Sequence, residues 1–169
     1  PRLRGKMPRM LAWEEHPGYD YYIWMDARFS LLDNKAIERM VDYCRDTDAC
    51  FFKHSQRSSV KSEVQFVLSL LNNKNQYILD RCREEKIAEQ LEHYQKDESW
   101  NDNFLIESGT FIYSKNVVEN REYNLMKEWF YHNCLWFVQD QISLPYLLHK
   151  FKTKYKFFEK NVYNNNYTK

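Results

Sequence analysis

The spacing of apolar and polar residues predicts that helices and strands alternate along the chain. Met7, Met10 and Leu11 stand near helical spacing, and Tyr21–Met25 is a short apolar run with the length of a buried strand. The predicted helices are Lys6–Glu15, Lys35–Arg45, a helix that Ser59 or Ser62 caps and that ends at Asn72, Tyr77–Gln95, a helix that begins at Asn116 or Asn120 and passes Trp129, and Gln141–His149. The predicted strands are Tyr21–Met25, Ala49–Phe52, Phe104–Tyr113 and Tyr155–Phe158. This order favours an α/β fold with a central mixed or parallel sheet flanked by helices.

Polar residues stand close to the ends of these strands or interrupt them. Asp26 directly follows the first strand, and His54 lies just beyond the second. Glu107-Ser108-Gly109 interrupts the third predicted strand, where a glycine permits a bend or the close approach of another group. Because ligands of such sheets bind beyond the carboxyl ends of the strands, we expect a ligand near these residues.

Length and composition indicate one globular domain. The 169 residues include 13 tyrosines, 11 phenylalanines and 5 tryptophans but only 3 glycines, which predicts an aromatic core. A formal net charge of +1 provides no overall field for nucleic acid or a membrane surface, so we expect neither as a partner. The four cysteines form no CxxC pair, and no apolar stretch reaches the roughly 18 to 20 residues of a membrane span. These features favour a cytoplasmic location.

Three carboxylates have the surroundings of functional groups. Asp26 could hold a metal ion or a sugar hydroxyl, or it could be a structural helix cap or ion-pair partner. Glu107 lies in an apolar strand, where burial requires a specific partner, for which a lysine would suffice. Asp140 is expected to cap its helix and to point outward, where the helix dipole keeps it ionised as a possible base.

Several basic side chains could bind phosphate. His54 and Arg57 lie in a polar loop after a strand, where they could contact phosphate or sugar hydroxyls or could simply be solvated. Arg4 and Lys6 lie near the start of the chain, where exposed basic residues are common.

Four short segments together resemble glycosyltransferases of the GT-A type, in particular the small domains with which large DNA viruses glycosylate their capsid proteins. Arg2-Leu3-Arg4-Gly5-Lys6 resembles the basic first helix, and Tyr22-Ile23-Trp24-Met25-Asp26-Ala27-Arg28 resembles the strand that carries the DxD motif. Glu107-Ser108-Gly109 resembles the acceptor-side turn, and Asp140-Gln141-Ile142-Ser143 resembles the helix start that bears the catalytic acid.

This resemblance implies a single GT-A-like, Rossmann-like domain over residues 1–169 that lacks an upstream nucleotide-binding strand. It implies transfer of a sugar from a nucleotide-sugar donor, with a UDP-sugar favoured and the host cytoplasm as the location if the protein is viral, to a hydroxyl of a glycan or glycoprotein. Asp140 would be the catalytic base, and Asp26 would bind Mn²⁺ or Mg²⁺. The implied donor-binding residues are Arg4, Lys6, Asp26, Ala27, Arg28, His54 and Arg57. The implied acceptor or sugar-binding residues are Glu107, Ser108, Gly109 and Gln141.

One residue departs from the family pattern. Arg28 stands where the DxD motif has its second aspartate. The loss of a carboxylate weakens the expected metal site, and the arginine could instead neutralise part of the diphosphate. The same departure motivates an alternative function, a carbohydrate- or protein-binding module that keeps the fold without catalysis.

Overall fold

The computed structural model describes residues 2–82, 85–120 and 122–169, without the side chains of Arg2 and Arg81. The helices are α1 (Arg2–Glu15), α2 (Ala36–Cys44), α3 (Val60–Asn72), α4 (Gln76–Cys82), α5 (Ile87–Gln95), α6 (Asn116–Glu119), α7 (Leu125–Leu135) and α8 (Asp140–Lys150). The strands are β1 (Tyr21–Met25), β2 (Ala49–Lys53), β3 (Ile106–Ser114) and β4 (Tyr155–Phe157). Within the described ranges, no helix has both the length and the apolar character needed to cross a membrane.

The four strands form one mixed sheet in the order β1-β3-β2-β4. Both β1 and β2 run antiparallel to β3, whereas β4 is parallel to β2. Helices flank the sheet, so the predicted α/β class with a central mixed sheet is confirmed. Because β3 is antiparallel to its neighbours, its first residues lie at the same end of the sheet as the last residues of β1 and β2.

Side chains alternate between the two faces of the sheet, and a different layer covers each face. Phe51 and Phe111 pack in a large core with residues of α1, α3, α5, α7 and α8. Cys50, Phe52 and Ile112 face a smaller core that is closed by α2 and by the chain after β4. The sheet is therefore the middle of three layers. Because both of its faces are covered, its strands can be apolar on both sides.

The asparagine-rich end of the chain is part of the fold. The carbonyl of Tyr167 accepts a hydrogen bond from the amide of Leu32 at 2.8 Å, and that of Lys169 accepts one from Ser30 at 2.8 Å. The side chain of Asn165 accepts from the amides of Tyr167 and Thr168 at 2.8 Å each, which holds the turn in shape. These bonds bring Tyr163 close to the end of β1.

The predicted bend in the third strand is confirmed. Phe51 pairs with Phe111, but the next residue of β2, Phe52, pairs with Glu107, so Ser108, Gly109 and Thr110 have no counterpart in β2. The strand bulges at this point while keeping its register with β1. The bulge redirects the side chains at the start of β3 toward the end of the sheet.

Several predicted helix boundaries are wrong. The first helix begins at Arg2 and not at Lys6, and the helix predicted from Asn116 or Asn120 past Trp129 is two helices, Asn116–Glu119 and Leu125–Leu135. The single helix over Tyr77–Gln95 is two helices, because the carboxylate of Glu85 accepts a hydrogen bond from the amide of Val138 at 2.7 Å and the amide of Lys86 donates to the carbonyl of Trp136 at 3.3 Å. These tertiary bonds outweigh the helical periodicity. The helix expected to follow an Asp140 cap instead includes Asp140 as its first residue, and Gln139 precedes it.

Three buried polar side chains, those of Gln90, Tyr94 and His132, are linked by hydrogen bonds inside the large core. The hydroxyl of Tyr94 accepts a hydrogen bond from Nε2 of Gln90 and lies within hydrogen-bond distance of Nδ1 of His132, both at 2.7 Å. With the hydroxyl donating to Nδ1, His132 is neutral. Burial lowers the pKa of His132 to about 4, with a smaller effect from the charge of Lys150.

We predict that acid destabilises the fold through His132. Between its ordinary pKa of 6.5 and its folded value of about 4, the unfolded chain takes up a proton that the folded chain does not. Stability therefore falls as pH is lowered through this window, by at most about 1.4 kcal/mol per pH unit for one group. Urea unfolding at several pH values should show a smaller slope in His132→Gln, and an unchanged slope in the control His16→Gln, whose histidine is exposed. Equal slopes in wild type and His132→Gln would refute this assignment.

Candidate functional site

Polar residues converge at the end of the sheet where β1 and β2 finish and β3 begins. The amide of Asp26 donates to the carbonyl of Gly109 at 2.8 Å, and the amide of His54 donates to the carbonyl of Leu105 at 2.9 Å. These backbone bonds fix both strand ends against the bulged start of β3. Asp26, His54 and Gly109, which the sequence places near strand ends, therefore lie at the same end of the sheet.

Arg9 of α1 lies at the centre of this cluster. Its Nη1 donates to Oδ2 of Asp140, and its Nη2 donates to Oδ1 of Asp26. Nη1 also lies 3.3 Å from the hydroxyl of Ser108, and the guanidinium sits 5.1 Å from the centroid of the Trp24 ring. Burial lowers the pKa of Arg9, and Asp26 opposes that effect. One side chain thus joins α1, β1, β3 and α8.

Asp140 faces the interior and does not point outward as predicted. Its Oδ2 accepts from Arg9 and forms an ion pair with Nζ of Lys6 at 3.0 Å. The indole of Trp129 donates to the backbone carbonyl of Asp140 at 2.9 Å, which anchors the first turn of α8. The attraction of two cations explains why this residue turns inward instead of capping the helix.

Asp26 and Arg28 lie on either side of a tight turn that contains the exposed Ala27. Oδ1 of Asp26 accepts from the indole of Trp24 at 2.8 Å, in addition to Arg9. Arg28 is half exposed, and its Nη2 lies 4.0 Å from Oδ2 of Asp26 and 3.7 Å from Oε1 of Glu107. Arg28 is therefore held loosely by both acids.

Two aromatic rings support Arg28. Its guanidinium carbon lies 4.9 Å from the ring centroid of Phe29 and 5.4 Å from that of Tyr163. Gly109 provides the space beneath this stack, since a Cβ there would come within 2.8 Å of the Phe29 ring and 3.1 Å of Arg28. The glycine in the bulge is needed for this close approach.

Glu107 has three partners, none of which is the lysine that the sequence suggested. Its Oε1 lies 3.4 Å from Nε2 of Gln141 and 3.7 Å from Arg28, and its Oε2 lies 3.8 Å from Nε2 of His54. Burial raises the pKa of Glu107 above its ordinary value of 4.5, and Arg28 partly opposes this shift. Its partners are distant enough that the carboxylate can still accept a proton.

His54 and Arg57 are fixed and do not form a solvated loop. Nδ1 of His54 accepts from the amides of Gln56 and Arg57 at 3.1 Å each, and burial lowers the pKa of His54. Arg57 pairs with the buried carboxylate of Glu63, which also accepts from Nε2 of Gln139. Gln139 in turn donates to Gln141 at 2.9 Å, so these residues connect to Glu107.

Among the residues predicted for the site, Arg4 alone lies apart. It is exposed on α1 and has no ion pair with any residue in the described ranges, whereas Lys6, two residues further along, reaches Asp140. Sequence analysis missed Arg9, Glu63 and Gln139, which connect the predicted residues to one another. Gln139 stands next to a predicted residue, but nothing in the helical pattern distinguishes Arg9 or Glu63.

The described residues do not fit a resident Mn²⁺ or Mg²⁺ ion. Hard divalent cations require several oxygen ligands, yet Oδ1 of Asp26 already accepts two N–H donors and Oδ2 faces the cation of Arg28. Across the described ranges, no three His, Cys, Asp or Glu side chains are grouped as metal ligands. The metal stays a prediction, and no reaction step is derived through it.

A comparison with protein families identifies the class of domain. The family model described as "TOD1/MUCI70, glycosyltransferase-like domain" matches residues 1–169. The chain belongs to this family. No curated protein and no solved structure gives a significant match to this chain.

Membership of the TOD1/MUCI70 family confirms the coarser part of the resemblance, a glycosyltransferase-like domain that implies a sugar donor and an acceptor. The GT-A type, the DxD assignment and the link with viral capsid proteins stay predictions. So do the roles of the individual residues, which the structure brings together without testing them.

We predict that Gly109→Ala destabilises this TOD1/MUCI70 domain by about 1–3 kcal/mol, because the new methyl group overlaps Phe29. Gly5→Ala is the matched control, since a Cβ at Gly5 meets nothing within 4 Å. Urea unfolding should also show a smaller loss from Gly109→Ala in a Phe29→Ala background. If Gly109→Ala is as stable as Gly5→Ala, the close packing described here is wrong.

Proposed function

We propose that the domain transfers a sugar from a nucleoside-diphosphate sugar, with a UDP-sugar favoured, to a hydroxyl of a glycan or glycoprotein. The observation that carries this proposal is the meeting of Asp26 and Asp140 at Arg9, with Glu107 close to Arg28 and Gln141, in a chain that belongs to a glycosyltransferase-like family. The three carboxylates come from distant parts of the sequence, and the carboxylates of Asp26 and Asp140 share the guanidinium of Arg9.

The donor half of the proposed site contains Asp26, Ala27 and Arg28. Negative charge grows on the diphosphate as the sugar leaves, so a nearby cation stabilises the transition state. Arg28 suits this role because it is half exposed and its acidic partners lie 3.7 and 4.0 Å away. The resemblance also assigns His54, Arg57, Lys6 and Arg4 to the donor. Of these, Arg57 and Lys6 are paired with Glu63 and Asp140, and burial lowers the pKa of His54 and so disfavours its charged form.

The acceptor half contains Glu107, Ser108, Gly109 and Gln141. In an inverting transfer, the acceptor oxygen attacks the anomeric carbon while the bond from that carbon to the diphosphate oxygen breaks. The electron pair of the broken bond leaves on the nucleoside diphosphate, and the hydroxyl proton passes to a carboxylate.

Geometry favours Glu107 as the acceptor of this proton. Oδ2 of Asp140 already receives Arg9 and Lys6, whereas every partner of Glu107 lies at 3.4 Å or beyond. In this arrangement Asp140 positions the two cations, and its predicted role as the base is the alternative.

A non-catalytic carbohydrate- or protein-binding module is the second candidate function. Its specific support is the pairing of Asp26 with Arg9 and the presence of Arg28 where the family pattern has an acid. Such a module would bind a glycan without consuming a nucleotide-sugar.

A screen of UDP- and GDP-sugars by thermal shift, with and without manganese, tests the proposed function. We expect at least one donor to raise the melting temperature and to be slowly hydrolysed, and Arg28→Ala to weaken both effects. Binding without hydrolysis or transfer would favour the module. Failure of every donor, with and without the metal, would contradict the proposal.

We predict that Glu107→Gln lowers kcat by about 10²–10⁴-fold while the fold remains stable. The base must be deprotonated, so the wild-type rate should fall as pH is lowered through the pKa of Glu107, which burial raises above 4.5. This acid limb should be absent in Glu107→Gln.

Asp140→Asn tests whether Asp140 positions Arg9 and Lys6 or is itself the base. It removes one of the two carboxylates that Arg9 contacts, together with the ion pair to Lys6, and should cost about 3–5 kcal/mol of stability. If Asp140→Asn removes the acid limb and Glu107→Gln retains it, Asp140 is the base.

A further inference from the structure

A pocket of about 500 Å³ opens beside the polar cluster, between three helices and the start of α8. Gly5, Lys6 and Arg9 of α1 line one side of it. The other lining residues come from α3, from α4 and from the segment before α8: Glu63, Phe66, Val67, Tyr77, Ile78, Val138 and Gln139. Its volume lies within the range of about 300–1,000 Å³ typical of small-molecule sites.

The pocket has a polar end and an aromatic end. Glu63, Gln139, Lys6 and Arg9 supply the polar groups, and Phe66 and Tyr77 supply rings that are 42% and 62% exposed. Rings exposed to this degree do not belong to the core. Hydrogen-bonding groups beside aromatic rings match a saccharide, which presents hydroxyl groups at its edge and C–H groups on its face.

The charges around the pocket favour an uncharged ligand over a diphosphate. Lys6 and Arg9 pair with Asp140, Arg9 also pairs with Asp26, and the carboxylate of Glu63 pairs with Arg57. Every ionised side chain that lines the pocket therefore has an opposite charge as its neighbour. Of the proposed donor residues, Lys6 lines the pocket, whereas Asp26 and Arg28 do not.

A continuous set of amide contacts leads from the pocket to the proposed base. Gln139 lines the pocket and donates to Gln141 at 2.9 Å, and Nε2 of Gln141 lies 3.4 Å from Glu107. A ligand in the pocket is thus next to the polar cluster that contains Glu107.

We infer that this pocket binds the acceptor saccharide. The inference rests on the proposed function and adds to it the place and chemical class of the second substrate: a neutral sugar that stacks on Tyr77 and Phe66 and hydrogen-bonds to Glu63 and Gln139.

Gly5 allows a matched pair of variants. It lines the pocket, and a Cβ there would have no atom within 4 Å, so Gly5→Ala adds only a methyl group while Gly5→Leu fills part of the pocket without a clash at Cβ. Tyr77→Ala removes one stacking ring. Urea unfolding of each variant provides the check that the fold is retained.

The probe is an array of nucleotide-free oligosaccharides, and binding of the UDP- and GDP-sugars is measured in parallel. We expect glycan binding to fall at least about tenfold in Gly5→Leu and in Tyr77→Ala, which is about 1.4 kcal/mol. Gly5→Ala should bind the glycan as wild type does, and donor binding should be unchanged in all three variants.

Two results would overturn the inference. Loss of donor binding in Gly5→Leu would make the pocket the donor site, and the proposed function would stand. Absence of glycan binding, or glycan binding that Gly5→Leu leaves intact, would exclude the pocket as an acceptor site. Failure of all donors with glycan binding retained would instead reject the transferase and leave a saccharide-binding pocket.

Discussion

The structure depends on one buried guanidinium. Arg9 takes the carboxylate of Asp26 on one nitrogen and that of Asp140 on the other, and its plane lies beside Trp24. Burying a charge costs several kcal/mol unless it is paired, so loss of either acid would leave the guanidinium of Arg9 with less compensation. Conversely, the two acids cannot approach each other without the cation. α1 packs mainly against α7, and the interaction by which Arg9 connects this helix to the end of the sheet and to α8 also assembles the site.

The remaining site residues differ in how firmly they are held. Asp140 and Arg57 have tight, buried partners, whereas Arg28 and Glu107 have partners at 3.4 Å or beyond. The firmly held residues fix the positions of Arg28 and Glu107. Because these two groups are loosely paired, the proposed reaction could use Arg28 to bind the diphosphate and Glu107 to accept a proton. The bulge at Gly109 and the turn that carries Tyr163 support the loosely held Arg28 from two sides. Site geometry is thus a consequence of packing at the end of the sheet.

Features that depend on local patterns could be predicted from the sequence, whereas features that depend on contacts between residues distant in sequence could not. Strand Tyr21–Met25 agrees with its prediction at both ends, and Ser59 forms a capping box with Ser62, because these depend on local patterns. The helix break near Glu85 depends on bonds to residues 136–138, at least 50 positions away, and no local pattern contains it. The same holds for the site: strand-end residues such as Asp26 and His54 could be predicted from topology, whereas Arg9 lies on an ordinary helix. Its role arises only when α1 meets residues that are 17 and 131 positions distant in sequence.

The most direct measurement compares two arginine-to-lysine changes by urea unfolding. Arg9→Lys keeps the charge but removes the fork that reaches both acids, and we predict a loss of about 2 kcal/mol or more. Arg39→Lys makes the same change in an exposed two-point pair with Asp33, where stability should change little. The stabilisation by a bound nucleotide-sugar should also fall in Arg9→Lys and persist in Arg39→Lys. If the two variants have equal unfolding free energies and a nucleotide-sugar stabilises both as it does the wild type, Arg9 does not hold the site together.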